Sequence, residues 1–143
     1  DIYEYIITKE WERMKKTIEV VAAVISDGDR FFCAQRKDEG ELARKWEFPG
    51  GKVEPNETKE ETIIREIKEE LKTDIKVLGY LTTVYHEYRT FNLILHAYLC
   101  KINNGNLELT EHLNSAWLTV DEMLEYDFAE ADRPVIKKLL ELK

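Results

Sequence analysis

Residues Trp46–Leu71 read WEFPGGKVEPNETKEETIIREIKEEL, and from Gly50 onward this stretch sets seven glutamates within 22 residues, four of them in the last eleven. Like charges at helical spacing repel. The run is therefore either an ordinary solvated face or a place that receives a divalent cation. Ile63, Ile64, Ile67 and Leu71 recur with a helical period, which predicts a helix over Glu57–Leu71. At about 100° per residue, with Glu66 taken as the origin, Glu70 falls near +40° and Glu69 near −60°, while the aliphatic stripe spans roughly +60° to +160°. Three carboxylates thus project from the edge of the face that must be buried. Lys68 points elsewhere and Arg65 lies on the flank of the arc. Hard divalent cations take several oxygen ligands at close range, and one rigid helix can supply them. Immediately upstream, Pro49-Gly50-Gly51 forces a turn between two short extended pieces and lets the backbone approach a ligand.

Working outward, Ile18–Asp27 is a mostly apolar run that predicts a buried strand, Asp27–Asp29 a turn, and Arg30–Arg36 the returning strand. Beyond the helix, Ile75–Tyr88 and Thr90–Ile102 predict two longer strands about a turn near Arg89–Thr90, and Ser115–Val120 a short strand. Thr119 and Glu122 form a capping box for a short helix through about Tyr126. Val135, Ile136, Leu139 and Leu140 mark one face of a C-terminal helix. The layered solution is an α/β fold, a mixed sheet with helices on both sides. Residues 1–15 stand apart as an N-terminal extension, accessory or non-native, in which Tyr3, Tyr5, Ile6, Ile7 and Trp11 suit an extra strand or a short helix against the body or a partner. A single domain occupies 16–143.

The chain has 143 residues, a net charge of −8 from 29 acids and 21 bases, and 43% hydrophobic content. These values fit one soluble globular unit. No basic patch suits polymeric nucleic acid or an anionic membrane, and no apolar run reaches membrane-spanning length. Cys33 and Cys100, isolated in apolar segments, read as buried free thiols and favour the cytoplasm. An acidic protein can still act on a small phosphorylated substrate when cations mediate the encounter.

The pattern from Gly51 resembles the Nudix box: Gly, five residues, Glu, seven residues, then Arg-Glu-aliphatic-any-Glu-Glu-any-Gly-aliphatic. Gly51, Glu57, Arg65, Glu66, Ile67, Glu69 and Glu70 fall on it without a gap. Lys72 and Thr73 depart from it at the final glycine and aliphatic positions. TIEVVAAVI, CAQR, KWEFPGGKVE and FAEADRPVIKKL extend the resemblance to the MutT-like branch over most of residues 17–142. The resemblance implies an α/β/α sandwich and a Mg²⁺-dependent enzyme, with Mn²⁺ as a substitute. It would convert a nucleoside triphosphate, such as 8-oxo-dGTP or alternatively CTP or dCTP, to monophosphate and pyrophosphate. A catalytically silent nucleotide-binding module is the rival from another class.

The resemblance further implies Glu66, Glu69 and Glu70 as metal ligands, with Glu57 in support and the Gly50 carbonyl as a further donor. Arg65 is a structural partner of a carboxylate. Glu111 matches the branch's loop glutamate, a general base grouped with the metal region; Glu69 and Glu70 are its rivals. Arg36 aligns with a phosphate-contacting arginine, while strand-end arginines also serve as surface ion-pair partners. Lys52 suits a phosphate or an ion pair in the acidic loop, and Arg89 is a weaker phosphate candidate. His112 reads as a loop or rim residue. Trp46, Tyr88 and Phe128 suit stacking on a base or a place in the core. Asp132 is either an acceptor for an exocyclic amine or a cap for the last helix ahead of Pro134.

Overall fold

The computed structural model describes the backbone of residues 1–143 and the side chains of all but residues 12 and 13. Helix α1 (Ile2–Met14) leads into β1 (Thr17–Asp27), β2 (Arg30–Gln35), β3 (Trp46–Glu47), β4 (Gly50–Lys52) and helix α2 (Lys59–Leu71). Then follow β5 (Asp74–Glu87), β6 (Asn92–Asn104), β7 (Asn114–Leu118), α3 (Val120–Met123), a 3₁₀ turn (Glu130–Asp132) and α4 (Arg133–Glu141). The expected turn between β1 and β2 is a two-residue one, with Gly28 at φ +66° where a side chain would be strained.

The sheet has seven strands with the path β3-β2-β1-β6-β5, β4 joining β1 and β7 joining β2. It is mixed: β1 runs parallel to β6 from Thr17↔Asn92 to Ile25↔Cys100, and its other pairings are antiparallel. Alternation along β1 serves two cores. Ala22 and Val24 pack with Val135, Ile136 and Leu139 of α4, whereas Val21, Ala23 and Ile25 pack with Ile63, Ile67 and Leu71 of α2. Each of those α2 side chains is fully buried and contributes roughly 1.5–3 kcal/mol. Helices on both sheet faces give the expected α/β/α sandwich.

Several details differ from expectation. Helix α2 begins at Lys59, one residue past an N-cap at Thr58, so Glu57 lies outside it. Glu61, though exposed, closes a capping box with Thr58. Ile64 is 43% exposed, and Thr62 takes the inward place instead, donating to the Thr58 carbonyl. The helix after Thr119 ends at Met123 rather than near Tyr126. The extension is a helix, yet Ile2, Tyr3, Tyr5 and Ile7 on it are all exposed. Lys15, just beyond, ties the chain to the body through the Tyr88 carbonyl at 2.6 Å. Cys33 and Cys100 are buried and free. Among the described residues no helix is long and apolar enough to cross a membrane.

Candidate active site

Strand β4 lies so close to β1 that a Cβ on Gly50 would sit 1.8 Å from the Val21 carbonyl oxygen. At Gly51 a Cβ would meet the Glu66 carboxyl carbon at 2.2 Å. The first glycine is thus demanded by strand pairing, and the second by the seat of a carboxylate. Arg65 gathers Glu57, Glu66 and Glu69. Its Nε and Nη2 donate to the two oxygens of Glu57 at 2.8 and 2.9 Å, and its Nη1 donates to Glu66 at 3.0 Å and Glu69 at 3.2 Å. The guanidinium hydrogen bonds hold the Glu57 carboxyl below its ordinary range.

Glu70 has no such partner. Burial, then the charges of Glu66, Glu47 and Glu111, push its carboxyl up to about 8, with Arg36 only partly offsetting them. It faces a cavity of about 350 Å³. Ile18 and Val20 of β1 and Leu93 and Leu95 of β6 form an apolar floor, Phe48, Tyr88 and Phe91 supply aromatic walls, and Arg36, Glu47, Glu111 and Asp132 add polar groups. Arg36 and His112 grip the two oxygens of Glu47, each at 2.9 Å. Arg36 Nε and His112 Nδ1 are buried without a hydrogen-bond partner, on two residues that line the cavity. Asp132 is 5% exposed and accepts from the Phe48 amide at 3.1 Å. Burial foremost drives its carboxyl well above the usual value.

Among the described residues no three His, Cys, Asp or Glu groups are already gathered for a metal; Arg65 draws Glu57, Glu66 and Glu69 to itself. The chemistry of the donor set nevertheless fits a hard cation. All the side-chain donors are carboxylate oxygens, and the excess negative charge around Glu70 wants a positive partner.

Comparison with known proteins decides the family. The NUDIX domain pattern matches residues 20–138. This chain is a Nudix hydrolase. It is 36% identical to the CTP pyrophosphohydrolase of Escherichia coli (strain K12) over 128 residues, covering 90% of this chain and 95% of that one. It is 37% identical to the 8-oxo-dGTP diphosphatase of Proteus vulgaris, covering 71% and 89%. The solution structure of the DNA mismatch repair protein MutT from methicillin-resistant Staphylococcus aureus 252 superposes with a TM-score of 0.74 at 42% identity, covering 91% and 100%. The MutT-like branch of the Nudix hydrolases is where this chain belongs.

The Nudix fold brings together many of the residues expected from the sequence and separates others. Arg36, Gly50, Lys52, Glu70, Tyr88, Glu111 and Asp132 line this same cavity. Glu57, Glu66 and Glu69 stand on the Arg65 side, with Glu69 exposed. Asp132 occupies the N-cap position of α4 but makes no side-chain cap bond, so the capping alternative is wrong. Trp46 and Phe128 do not line the cavity. Phe128 is 1% exposed and packs behind Phe48 with ring centroids 5.7 Å apart, while Trp46 meets the edge of Tyr126. Arg89 is also outside it. Its backbone amide donates to Glu41, which also accepts from the amide and hydroxyl of Thr90.

Those bonds strap the loop carrying Leu42, a cavity-lining residue, onto the β5–β6 turn. Glu41→Ala should therefore raise KM for the substrate about fivefold, the worth of roughly 1 kcal/mol of lost hydrogen bonding, with kcat unchanged. Steady-state kinetics check this, and a fall in kcat alone would contradict it. Glu47, Phe48 and Phe91 are not among the expected residues, while His112, read as a loop or rim residue, lies in the loop before β7 and lines the cavity. The available signal was Glu47 itself, a lone carboxylate between two large aromatic residues in WEFPGG.

Proposed function

We propose that this Nudix hydrolase is a metal-dependent nucleoside triphosphate pyrophosphohydrolase that releases a nucleoside monophosphate and pyrophosphate. The observation that carries the reading is a single cavity lined both by phosphate-handling groups (Arg36, Glu70, Glu111) and by an apolar, aromatic pocket beside the buried Asp132. The catalytic unit is 16–143, with 1–15 an accessory extension, and the buried free thiols support a cytoplasmic setting. Glu66, Glu70 and the Gly50 carbonyl would hold Mg²⁺ or Mn²⁺, supported by Glu57 and Glu69 through Arg65. Such an ion neutralises phosphate charge and acidifies water.

The chain's own groups perform the rest. Glu111 accepts a proton from the water that attacks the β-phosphorus, and the bond from that phosphorus to the α-phosphate bridging oxygen breaks, with the monophosphate as leaving group. Arg36 orients the polyphosphate with the guanidinium edge that Glu47 leaves free. Lys52 adds a flexible positive charge at the rim.

Asp132 bears on the base. Ionised, it would only accept; buried and protonated, it offers a donor and an acceptor, as an amide does. That favours an oxidised purine such as 8-oxo-dGTP, whose edge presents both kinds of group. The similarity to an E. coli CTP pyrophosphohydrolase over 90% of the chain supports CTP or dCTP as the second reading. A panel of nucleotides assayed for both monophosphate and pyrophosphate separates these. Orthophosphate release, or binding without turnover on every nucleotide, would sink the proposal.

Asp132→Asn should preserve the substrate ranking near neutral pH. It should also stabilise the protein increasingly as pH rises. A buried acid with a raised pKa contributes its stability fully below the ordinary value of 3.8 and loses it as pH climbs toward the folded-state value, a loss asparagine does not share. Thermal melts from pH 3.5 to 8 measure the widening gap. A constant gap would mean that Asp132 is ionised in the fold.

A further inference from the structure

The family's box ends in glycine and an aliphatic residue, whereas this chain has Lys72 and Thr73. Lys72 closes α2 in the left-handed region at φ 51° without the glycine. Thr73 is fully buried, and its hydroxyl donates to the Leu71 carbonyl at 2.9 Å while accepting the Leu107 amide at 2.8 Å. Two further bonds reach the same helix end: the Glu108 amide donates to the Leu71 carbonyl at 2.9 Å, and the Thr110 hydroxyl to the Glu70 carbonyl at 2.6 Å.

Carbonyls in the last turn of a helix lack partners within it, and here the loop after β6 supplies them. Gly105, at φ +115°, lets that loop pass; a Cβ there would lie 2.8 Å from the Thr73 Cα. At its far end the loop is fixed again, by the Leu113 amide on the Gln35 carbonyl at 2.9 Å. Glu111 and His112 sit between the two anchors.

We propose that Thr73 and Thr110 are positioning residues, which set Glu111 against the α2 carboxylates by fastening its loop to the end of that helix. The inference rests on the role given to Glu111 above. Glu70 and Thr110 belong to one short circuit: the residue whose side chain enters the cavity lends its backbone carbonyl to the residue preceding the base. Any displacement of the helix end is transmitted to Glu111, so base and carboxylates keep register. At Thr73 a hydroxyl performs this where the family pattern has a hydrocarbon, a property of this chain's own sequence.

The test is a cycle of variants. Thr110→Val, isosteric and at an exposed site, should lower kcat about tenfold, the scale of a small misplacement, with KM nearly unchanged. Thr110→Ser should restore it. In a Glu111→Gln background Thr110→Val should cost nothing further. In the metal-free protein, Thr73→Val should speed amide hydrogen exchange at Leu107 selectively, a readout independent of turnover. An equal loss from Thr110→Val in both backgrounds, or no loss in either while Glu111→Gln is impaired, overturns the proposal. So does unchanged exchange at Leu107. Full turnover by Glu111→Gln would instead overturn the assignment of the base, and the two failures are told apart by that variant alone.

Discussion

Glu70→Gln is expected to lower kcat by about 10²–10⁴-fold, the range spanned when several kcal/mol of transition-state stabilisation are removed, while leaving the protein folded. The stability effect has the opposite sign. In the wild type the Glu70 carboxyl is pushed up to about 8 from its ordinary 4.5, by burial first and then by Glu66, Glu47 and Glu111. Its favourable protonated form is fully retained below pH 4.5 and is lost as pH rises through 8. At pH 8 the ionised site therefore costs on the order of 2–4 kcal/mol after discounting for solvent reaching the group. Glutamine removes that cost, so the metal-free variant should melt higher than the wild type at pH 8 and alike at pH 4. Added Mg²⁺ should raise the wild-type midpoint at pH 8 more than the variant's. Turnover near wild type, or a variant that melts lower at pH 8, would show that Glu70 is not the ligand carboxylate of this cavity.

Gly50→Ala should have the largest effect on folding. The added Cβ would meet the Val21 carbonyl oxygen at 1.8 Å and its carbon at 2.8 Å, and neither is the end of a side chain that can turn away. Strand β4 would have to leave β1, giving up the pairings Val20↔Lys52, Val21↔Gly51 and Ala22↔Gly50. A loss of roughly 3 kcal/mol or more is expected, enough to leave much of the chain unfolded at 37 °C. The neighbouring Gly51→Ala behaves differently, because its Cβ meets the movable side chain of Glu66. That variant should fold with a smaller loss and lose activity instead. Thermal denaturation beside initial rates measures both. A Gly50→Ala protein as stable as wild type would show that the two strands are not held as described.

The contrast between these glycines shows what the sequence could and could not disclose. Pro-Gly-Gly announces a turn, and the 3.6-residue period announces the helix after it, because both are local. Which glycine faces a strand and which faces a carboxylate depends on β1, some distance away in the chain. The same holds for Arg65. Its flank position on the helix was legible, but its simultaneous grip on Glu57, Glu66 and Glu69 depends on the path of the loop before Thr58.

Trp46 and Phe128 look like stacking residues by type, yet an isolated bridge pairs their backbones, with Phe128 inside the core and Trp46 half-buried against it. Phe48 and Phe91, less conspicuous, became the cavity walls. Asp132 shows the opposite case. A carboxylate before Arg-Pro reads as a helix cap, and only the tertiary structure buries it against the Phe48 amide, with its carboxyl driven well above the usual range.

The parallel pairing of β1 with β6 has a consequence for how the molecule comes to exist. Its partners, from Thr17↔Asn92 to Ile25↔Cys100, lie ~75 residues apart in the chain, and loop closure over such a span must precede any gain from the contact. During synthesis β1 can pair with β2 and β4 early, but its other edge waits until β6 has left the ribosome. Until then the aliphatic floor contributed by Leu93 and Leu95 is absent, and Val20 and Ala22 remain uncovered on that side. Folding on the millisecond-to-second scale typical of non-local sheets is expected, with cavity closure among its last events.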